Sequence, residues 1–218
     1  DSFFPLTELS ASGYSSIYVG QKTYNGVALL SKQPGCDVIT TIPNFEDDQK
    51  RVVAATYGDI RVICIYVPNG ESVDSEKFQY KLNWLSALNR WLQEELAQFP
   101  KLVLLGDFNI APADSDVHNP ELWKDQVLCS SPERDAFQNL LNLGLYDSFR
   151  LFEQPGKSYT WWDYRMLAFR LNKGLRIDHI LLSKALTESC ESCVIDKTPR
   201  KLERPSDHTP VVVTLKIG

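Results

Sequence analysis

The most regular stretch of the chain runs from Glu76 to Phe99, where Leu82, Leu85, Leu88, Leu92 and Leu96 recur at three- and four-residue steps. That period predicts an amphipathic helix, which Pro100 ends. An apolar run, Leu102 to Leu105, follows and reads as a fully buried strand. Upstream, Arg51 to Tyr57 and Arg61 to Val67 predict a hairpin across Gly58-Asp59. In its second arm Val62, Cys64 and Tyr66 share one face, and Ile63, Ile65 and Val67 the other. Tyr14 to Val19 and Val27 to Leu30 predict strands around a Gly20-to-Gly26 turn. A short helix over Phe4 to Leu9 precedes them, ended by Ser12-Gly13. Downstream, Glu133 to Leu143 predicts a helix closed by Gly144. Leu175 to Leu182 reads as a strand carrying two polar groups, Arg176 and Asp178. Ser192 to Ile195 and Pro210 to Lys216 read as the last strands. No repeat, linker or composition break interrupts the pattern. One mixed α/β domain over 1–218 is the simplest organisation, with long loops at strand ends, where active sites usually sit.

Composition narrows this picture only a little. At 218 residues, with 43% hydrophobic and 11% aromatic residues, the chain can bury a sizeable core. A net charge of −5 does not suggest a generally basic nucleic-acid binder. Two local basic groups stand out, Arg165/Arg170/Lys173/Arg176 and Lys197/Arg200/Lys201/Arg204, and charge alone reads both as solvated loops. The five cysteines are odd in number and widely spaced, which suits a reducing, cytoplasmic setting rather than a disulfide framework. Cys190 and Cys193 form an isolated C-x-x-C without a second ligand pair, so two half-buried thiols are expected there, not zinc. No apolar run approaches membrane-spanning length.

The chemistry concentrates at strand ends. Gly106-Asp107-Phe108-Asn109 closes the Leu102 strand. Asp107 and Asn109 are two apart and would point the same way in a strand. Asp107 could hold a metal or deprotonate water, with Asn109 donating to a phosphoryl oxygen. Equally, the two side chains could cap their own turn. Pro205-Ser206-Asp207-His208-Thr209-Pro210 opens the last strand, and His208 could take a proton or, protonated, stabilise phosphoryl oxygens. Asp178, an acid in an apolar strand, needs a partner, and a histidine is a natural one. Tyr66 ends a strand, with Asn69 in the turn beyond; locally a core tyrosine and a Pro-Asn-Gly turn explain both. Tyr159-Thr160-Trp161-Trp162-Asp163-Tyr164-Arg165 packs four aromatics into a loop, more than core packing needs, and suggests a surface beside a polyanion. Asp114, Asp116 and His118 alternate like metal ligands, but their surroundings read as an exposed loop.

Together these motifs resemble the exonuclease III family of DNA-repair nucleases, within the endonuclease/exonuclease/phosphatase superfamily. The matching stretches are YNGVALLSK (24–32), YVPNGES (66–72), LLGDFNIAP (104–112), YTWWDYR (159–165), GLRIDHILLS (174–183) and RPSDHTPV (204–211). The resemblance implies a four-layer α/β sandwich, two mixed β-sheets flanked by helices, of the deoxyribonuclease I-like kind. It implies a Mg²⁺-dependent (or Mn²⁺-dependent) enzyme that cuts double-stranded DNA 5′ to abasic sites and removes nucleotides from 3′ ends, with no membrane partner. By match to motif, Asp107 would activate water and Asn109 would bind the scissile phosphate. Tyr66 would contact the phosphate or help the leaving oxygen, and His208, held by Asp178, would stabilise the pentacoordinate phosphorus. Asp207 would be a metal ligand, beside Asp107, Asn109 and His208. Asn69, Tyr24 and Arg165 would contact DNA, while Trp161, Leu175 and Ile177 would line a slot for a base-less sugar.

One departure changes the expectation. Members of that family begin with a strand bearing an Asn-x-Asn motif, then a second strand ending in Leu-Gln-Glu-Thr-Lys, whose Glu is the principal metal ligand. This sequence opens instead on Asp1-Ser2-Phe3-Phe4-Pro5. The resemblance therefore implies a form without the N-terminal strands. Weak Mg²⁺ affinity, impaired catalysis, exposed apolar surface and self-association in place of the family's monomer are the expectations. A catalytically inactive DNA-binding remnant, or a phosphatase of small phosphoesters, stays open as an alternative.

Overall fold

The computed structural model describes residues 4–217. The first three residues of the chain lie outside it. After a short helix, α1 (Leu6–Ala11), come strands β1 (Ser15–Gly20), β2 (Gly26–Ser31), β3 (Cys36–Ile39), β4 (Val52–Tyr57) and β5 (Ile60–Tyr66). The long helix α2 (Glu76–Gln98) leads into β6 (Leu102–Asp107). Then follow α3 (Pro120–Trp123), α4 (Ser131–Asn142), β7 (Leu145–Asp147), β8 (Asp178–Ser183), α5 (Lys184–Thr187), β9 (Cys190–Ile195) and β10 (Val211–Leu215).

The central sheet has six strands in the order β3-β4-β5-β6-β8-β7. Only β5 and β6 run parallel, because α2 carries the chain back over the sheet between them. Each face of β5 meets a different layer, as its alternation predicts. Ile63 and Ile65, with Ala54, Leu102 and Leu104, pack under Trp84, Leu88 and Leu92 of α2 and Phe137 and Leu140 of α4. Val62 and Cys64 turn to the other face. There the β1–β2 hairpin covers Val53 and Ala55, while the β9–β10 pair covers Val103 and Leu182. The expected sandwich is thus present, with its second layer built from two separate strand pairs. Between them runs a groove of about 1500 Å³, walled by Leu29 and Leu30 of β2 and by Val211 and Leu215 of β10.

Several boundaries differ from the sequence reading for physical reasons. Strand β8 begins at Asp178, not Leu175, because residues 174–177 bend to reach two partners. The Leu175 position bridges both Val117 and Trp161, and the buried Arg176 side chain joins Asp116 and Asp147 at 2.6 and 2.7 Å. Arg176, read as solvated loop charge, is a core ion pair. Asp116, read as part of an exposed loop, is its buried partner. Helix α4 starts at Ser131, two residues early, since Ser130 and Glu133 form a capping box. Strands β3 and β7, four and three residues of weakly patterned sequence, went unpredicted. All five cysteines are free. No helix among the described residues is long and apolar enough to cross a membrane.

Candidate active site

Three neighbouring strands end side by side and deliver the site. Tyr66 lies opposite Asp107 in the parallel β5–β6 pair, and Asp107 lies opposite Asp178 in the antiparallel β6–β8 pair. His208 arrives from the loop before β10. Trp161 pins that loop by bridging both Leu175 and His208. The Trp162 N–H donates to the Asp207 carbonyl at 3.0 Å, and the Thr209 N–H donates to the Thr160 carbonyl at 2.8 Å. The Thr160 hydroxyl accepts from the N–H groups of Ile177 and Asp178 at 3.0 and 3.1 Å. So held, His208 Nδ1 meets Asp178 Oδ2 at 2.9 Å and Oδ1 at 3.1 Å. One ligand atom each from Asp107, Asp178 and His208 lies within 4.8 Å of the others.

Asn109 reaches the group by a turn rather than by strand alternation. It sits beyond the end of β6 with a φ of 49°, in the left-handed region that Asn tolerates better than most residues. Its N–H donates to Asp107 Oδ1 at 2.8 Å. Its side-chain Nδ2 donates to the Val67 carbonyl at 3.0 Å and to Asp107 Oδ2 at 3.3 Å. Asn69 Nδ2 donates to Asn109 Oδ1 at 3.2 Å. The capped-turn reading of Asp107 and Asn109 holds, and the turn brings the two side chains together.

The electrostatics separate the roles of acid and imidazole. Burial, and then the charge of Asp178 across the sheet, push the Asp107 carboxyl up to about 7, against the pull of His208. Burial pulls His208 down, but the hydrogen bond and charge of Asp178, helped by Asp107 and Asp207, lift it to about 9. His208 is therefore cationic at neutral pH, with Nδ1 committed to Asp178. With Nδ1 on Asp178, the ring's other nitrogen can face an anion when the ring is protonated or a metal when it is neutral. Asp107, by contrast, ionises reluctantly beside Asp178, a divalent cation would favour its charged form, and its oxygen donors suit a hard ion.

The remaining candidates spread around this centre. The Asp207 carboxylate stands outside the three-residue group and accepts the Trp161 indole N–H at 3.0 Å. Tyr66, Asn69 and Tyr24 line a cavity of about 530 Å³ beside the site, and Tyr24 is 99% exposed at the β1–β2 turn. Trp161 is half-buried. Leu175 and Ile177 are core residues packed with Ala111 and Val117, so they back Trp161 rather than present open surface. Arg165 is solvent-exposed and paired with Asp163 at 2.6 Å. Of the four aromatics in its loop, Tyr159 and Trp162 are core. Tyr164 leaves the core with Met166 and Leu167 to form an exposed tip. Asp114 pairs with Arg134, and His118 turns to the Gly174 carbonyl, so these two with Asp116 form no metal group.

Sequence reasoning missed two supports. Arg51 donates from Nη1 to the Tyr66 carbonyl at 3.1 Å and lies over the Tyr66 ring at 4.8 Å. Lys81 and Glu133, both fully buried, pair at 2.5 Å beneath Asn69 and Asn109. A signal for Lys81 was present: it falls on the buried stripe of α2, between Phe78 and Leu85, where a lysine needs a partner.

Comparison with known proteins places the chain in a family. The model of the Endonuclease/Exonuclease/phosphatase family matches residues 2–208. Exodeoxyribonuclease III of Haemophilus influenzae is 38% identical over 229 aligned positions, covering 99% of this chain and 86% of that protein. Among solved structures, a 3′ phosphatase from Neisseria bound to product DNA hairpin is 47% identical with a TM-score of 0.97, covering 100% of this chain and 85% of that one. An AP endonuclease from Archaeoglobus fulgidus is 37% identical with a TM-score of 0.95, again over 100% of this chain and 85% of that one. This chain belongs to the endonuclease/exonuclease/phosphatase family, among its phosphodiester hydrolases of the exodeoxyribonuclease III and AP endonuclease kind.

Proposed function

We propose that this protein is a metal-dependent DNA-repair phosphodiesterase, cutting duplex DNA 5′ to abasic sites and trimming 3′ ends. The observation that carries it is the Asp107–Asp178–His208 group, set beside Asn109 at the ends of three adjacent strands. In this reading a water oxygen attacks phosphorus and its proton passes to Asp107. The bond from phosphorus to the 3′ oxygen breaks, and that oxygen takes a proton from the Tyr66 hydroxyl, which solvent restores, leaving a 3′ hydroxyl and a 5′ phosphate. Cationic His208 and the Asn109 amide donate to the phosphoryl oxygens as charge builds on them. Tyr66, held by Arg51, lies on the leaving-oxygen side. Mg²⁺, or Mn²⁺ in its place, would be held by Asp107 with Asp207 and Asn109, and when bound would neutralise phosphate charge and acidify water.

Around this centre, Asn69, Tyr24 and Arg165 contact the DNA backbone, and Trp161, backed by Leu175 and Ile177, receives the base-less sugar. The exposed Tyr164, Met166 and Leu167 suit an apolar contact beside the strand. Two of the relatives act on DNA by their names and one was solved with a product hairpin, which supports DNA as the partner. The free cysteines suit a reducing cytoplasm.

A labelled duplex with one tetrahydrofuran abasic analogue tests this, beside a duplex ending in a 3′ phosphate. Each is incubated with Mg²⁺, with Mn²⁺ and with chelator, alongside Asp107→Asn and His208→Ala. Metal-dependent cleavage lost in both variants is the expected result. The 47% identity to the 3′ phosphatase favours 3′-end removal as the second reading, and cleavage only of the 3′-phosphate duplex would select it. Duplex binding without any cleavage would instead select an inactive DNA-binding protein.

A further inference from the structure

We infer that Lys81, with its counter-ion Glu133, is a positioning residue for the reaction, fixing Asn109 and Asn69 from beneath. The inference rests on the nuclease reading above and deepens it. Lys81 rises from α2 into a space with no solvent, its side chain fully buried. A lysine ammonium has three N–H donors. All three find partners here: the Asn109 carbonyl at 2.7 Å, the Asn69 carbonyl at 3.0 Å and Glu133 Oε1 at 2.5 Å. Two of these are main-chain oxygens of the residues proposed to hold phosphate and DNA.

The arrangement has the features of a clamp rather than of a salt bridge that merely fills a core. Asn109 holds a left-handed φ, which needs support from its surroundings. Asn69 belongs to a different loop, after β5, yet its amide donates to the Asn109 carboxamide. The ammonium therefore ties the two loops by their backbones directly below the point where their side chains meet. Gly70 reports how close the approach is: a Cβ there would come within 3.2 Å of the Lys81 stem.

Glu133 completes the device. Its Oε1 also accepts the Leu128 N–H at 2.9 Å, and its Oε2 accepts the Ser130 N–H at 3.1 Å and the Ser130 hydroxyl at 2.5 Å. The carboxylate thus cannot swing away, and neither can the lysine it holds. The first turn of α4 is linked through Glu133, Lys81 and Asn109 to Asp107. Lys81 touches no substrate in this account; it acts through Asn109 and Asn69. Displacement of a reacting group by about 1 Å can cost ~100-fold in rate, so loss of the clamp is expected to appear in turnover before it appears in binding.

The test compares Lys81→Met, the paired Lys81→Met/Glu133→Gln, Lys81→Arg, Asn109→Ala and Lys81→Met/Asn109→Ala in the full chain. Single-turnover cleavage of the abasic duplex is measured with Mg²⁺, duplex affinity with chelator, and melting temperature for each. The expected result is a ~100-fold slower cleavage step for Lys81→Met/Glu133→Gln at nearly unchanged duplex affinity, partly restored in Lys81→Arg. Lys81→Met added to Asn109→Ala is expected to cost nothing further, because Lys81 acts through that residue. Amide hydrogen exchange supplies a readout free of catalysis: segments 67–71 and 108–111 exchange faster in the paired variant while the rest of β5 and β6 does not. Additive losses with Asn109→Ala, or unchanged exchange in those two segments, would overturn the inference. If the parent protein cleaves neither duplex, the nuclease reading fails, and the exchange result alone decides whether Lys81 is the clamp.

Discussion

Asp107 and Asp178 occupy facing positions on β6 and β8, yet only Asp178 is paired with His208. Two acids brought together without a bound cation resist ionising together. The structure resolves this by giving one a cationic partner and leaving the other with a carboxyl pushed up to about 7. The same division sets their chemistry: one orients an imidazolium, the other is free to accept a proton or a cation.

Asp178→Asn separates these tasks. The substitution keeps the shape and removes the charge that holds His208 up near 9. The histidine then titrates closer to its ordinary value and loses its fixed orientation. Cleavage of the abasic duplex at pH 8 is expected to fall by ~10²–10⁴-fold, with duplex affinity in chelator changed far less. An NMR titration of His208 in the same variant checks the cause. A variant that keeps full cleavage would show that the pair is structural.

The same pair predicts how metal-free stability depends on pH. His208 is raised in the folded state, from about 6.5 to about 9, so its contribution is fully present below pH 6.5 and is lost as pH rises through 9. Asp107 is also raised, from 3.8 to about 7, so its contribution falls away between those values. Of these two groups only His208 still changes above pH 7, while the buried thiols of Cys64 and Cys129, pushed up to about 11 and about 12, add a smaller loss that begins near pH 9 and is common to parent and variant. In chelator, raising the pH from 7 to 9 is expected to cost on the order of 2 kcal/mol, discounted for the partial exposure of the ring. Thermal melts across that range, beside Asp178→Asn, measure it; parallel slopes for the two proteins would refute the assignment.

How much of this was legible in the sequence depends on whether a residue's role is local. The α2 period, the β4–β5 hairpin and the alternation along β5 follow from spacing, and they appear within a residue or two of expectation. Asp107, Asp178 and His208 also declared themselves, as polar groups at the ends of apolar runs. What spacing cannot show is which distant charges meet. Arg176 looks like any loop arginine until Asp116 and Asp147, sixty and twenty-nine positions upstream, close around it. Lys81 and Glu133 are fifty-two positions apart and belong to two helices that meet only once the sheet has formed. For Asn109 the spacing left strand and turn equally open, and the left-handed turn that aims it depends on long-range bonds to Val67 and Asn69.

Gly106, next to Asp107, is a position where the backbone itself is specific. Its φ is 138°, and a Cβ there would fall 1.9 Å from the Ile65 carbonyl oxygen on the neighbouring strand. Neither partner can yield, since both belong to the β5–β6 ladder. Gly106→Ala is expected to destabilise the fold by ~3 kcal/mol or more and to reduce cleavage further than the stability loss accounts for, because Asp107 moves with the strand. Urea unfolding and single-turnover cleavage test the two parts; a midpoint equal to the parent's would contradict the clash.

The groove between β2 and β10 yields the last prediction. Its walls are Leu29, Leu30, Val211 and Leu215, and its floor is Ile60, Val62, Val103 and Leu105 of the central sheet. Leu30 is 46% and Ile217 57% exposed at its rim. A largely apolar trough of about 1500 Å³, with Ser31, Gln33 and Asp59 among its lining, is unlike the scattered single apolar residues of an ordinary surface. A polarity-sensitive dye such as anilinonaphthalene sulfonate is therefore expected to bind the native protein with enhanced, blue-shifted emission, before any thermal transition. Val211→Asp and Ala28→Asp place charges on opposite walls and are each expected to reduce that emission while leaving the circular dichroism of the fold intact. They lie on the far face of the sheet from α2 and the Lys81 clamp, so cleavage in these variants should match the parent. Emission no greater than that of the dye alone would mean that the trough is closed in solution, and equal emission from parent and variants would place the dye elsewhere.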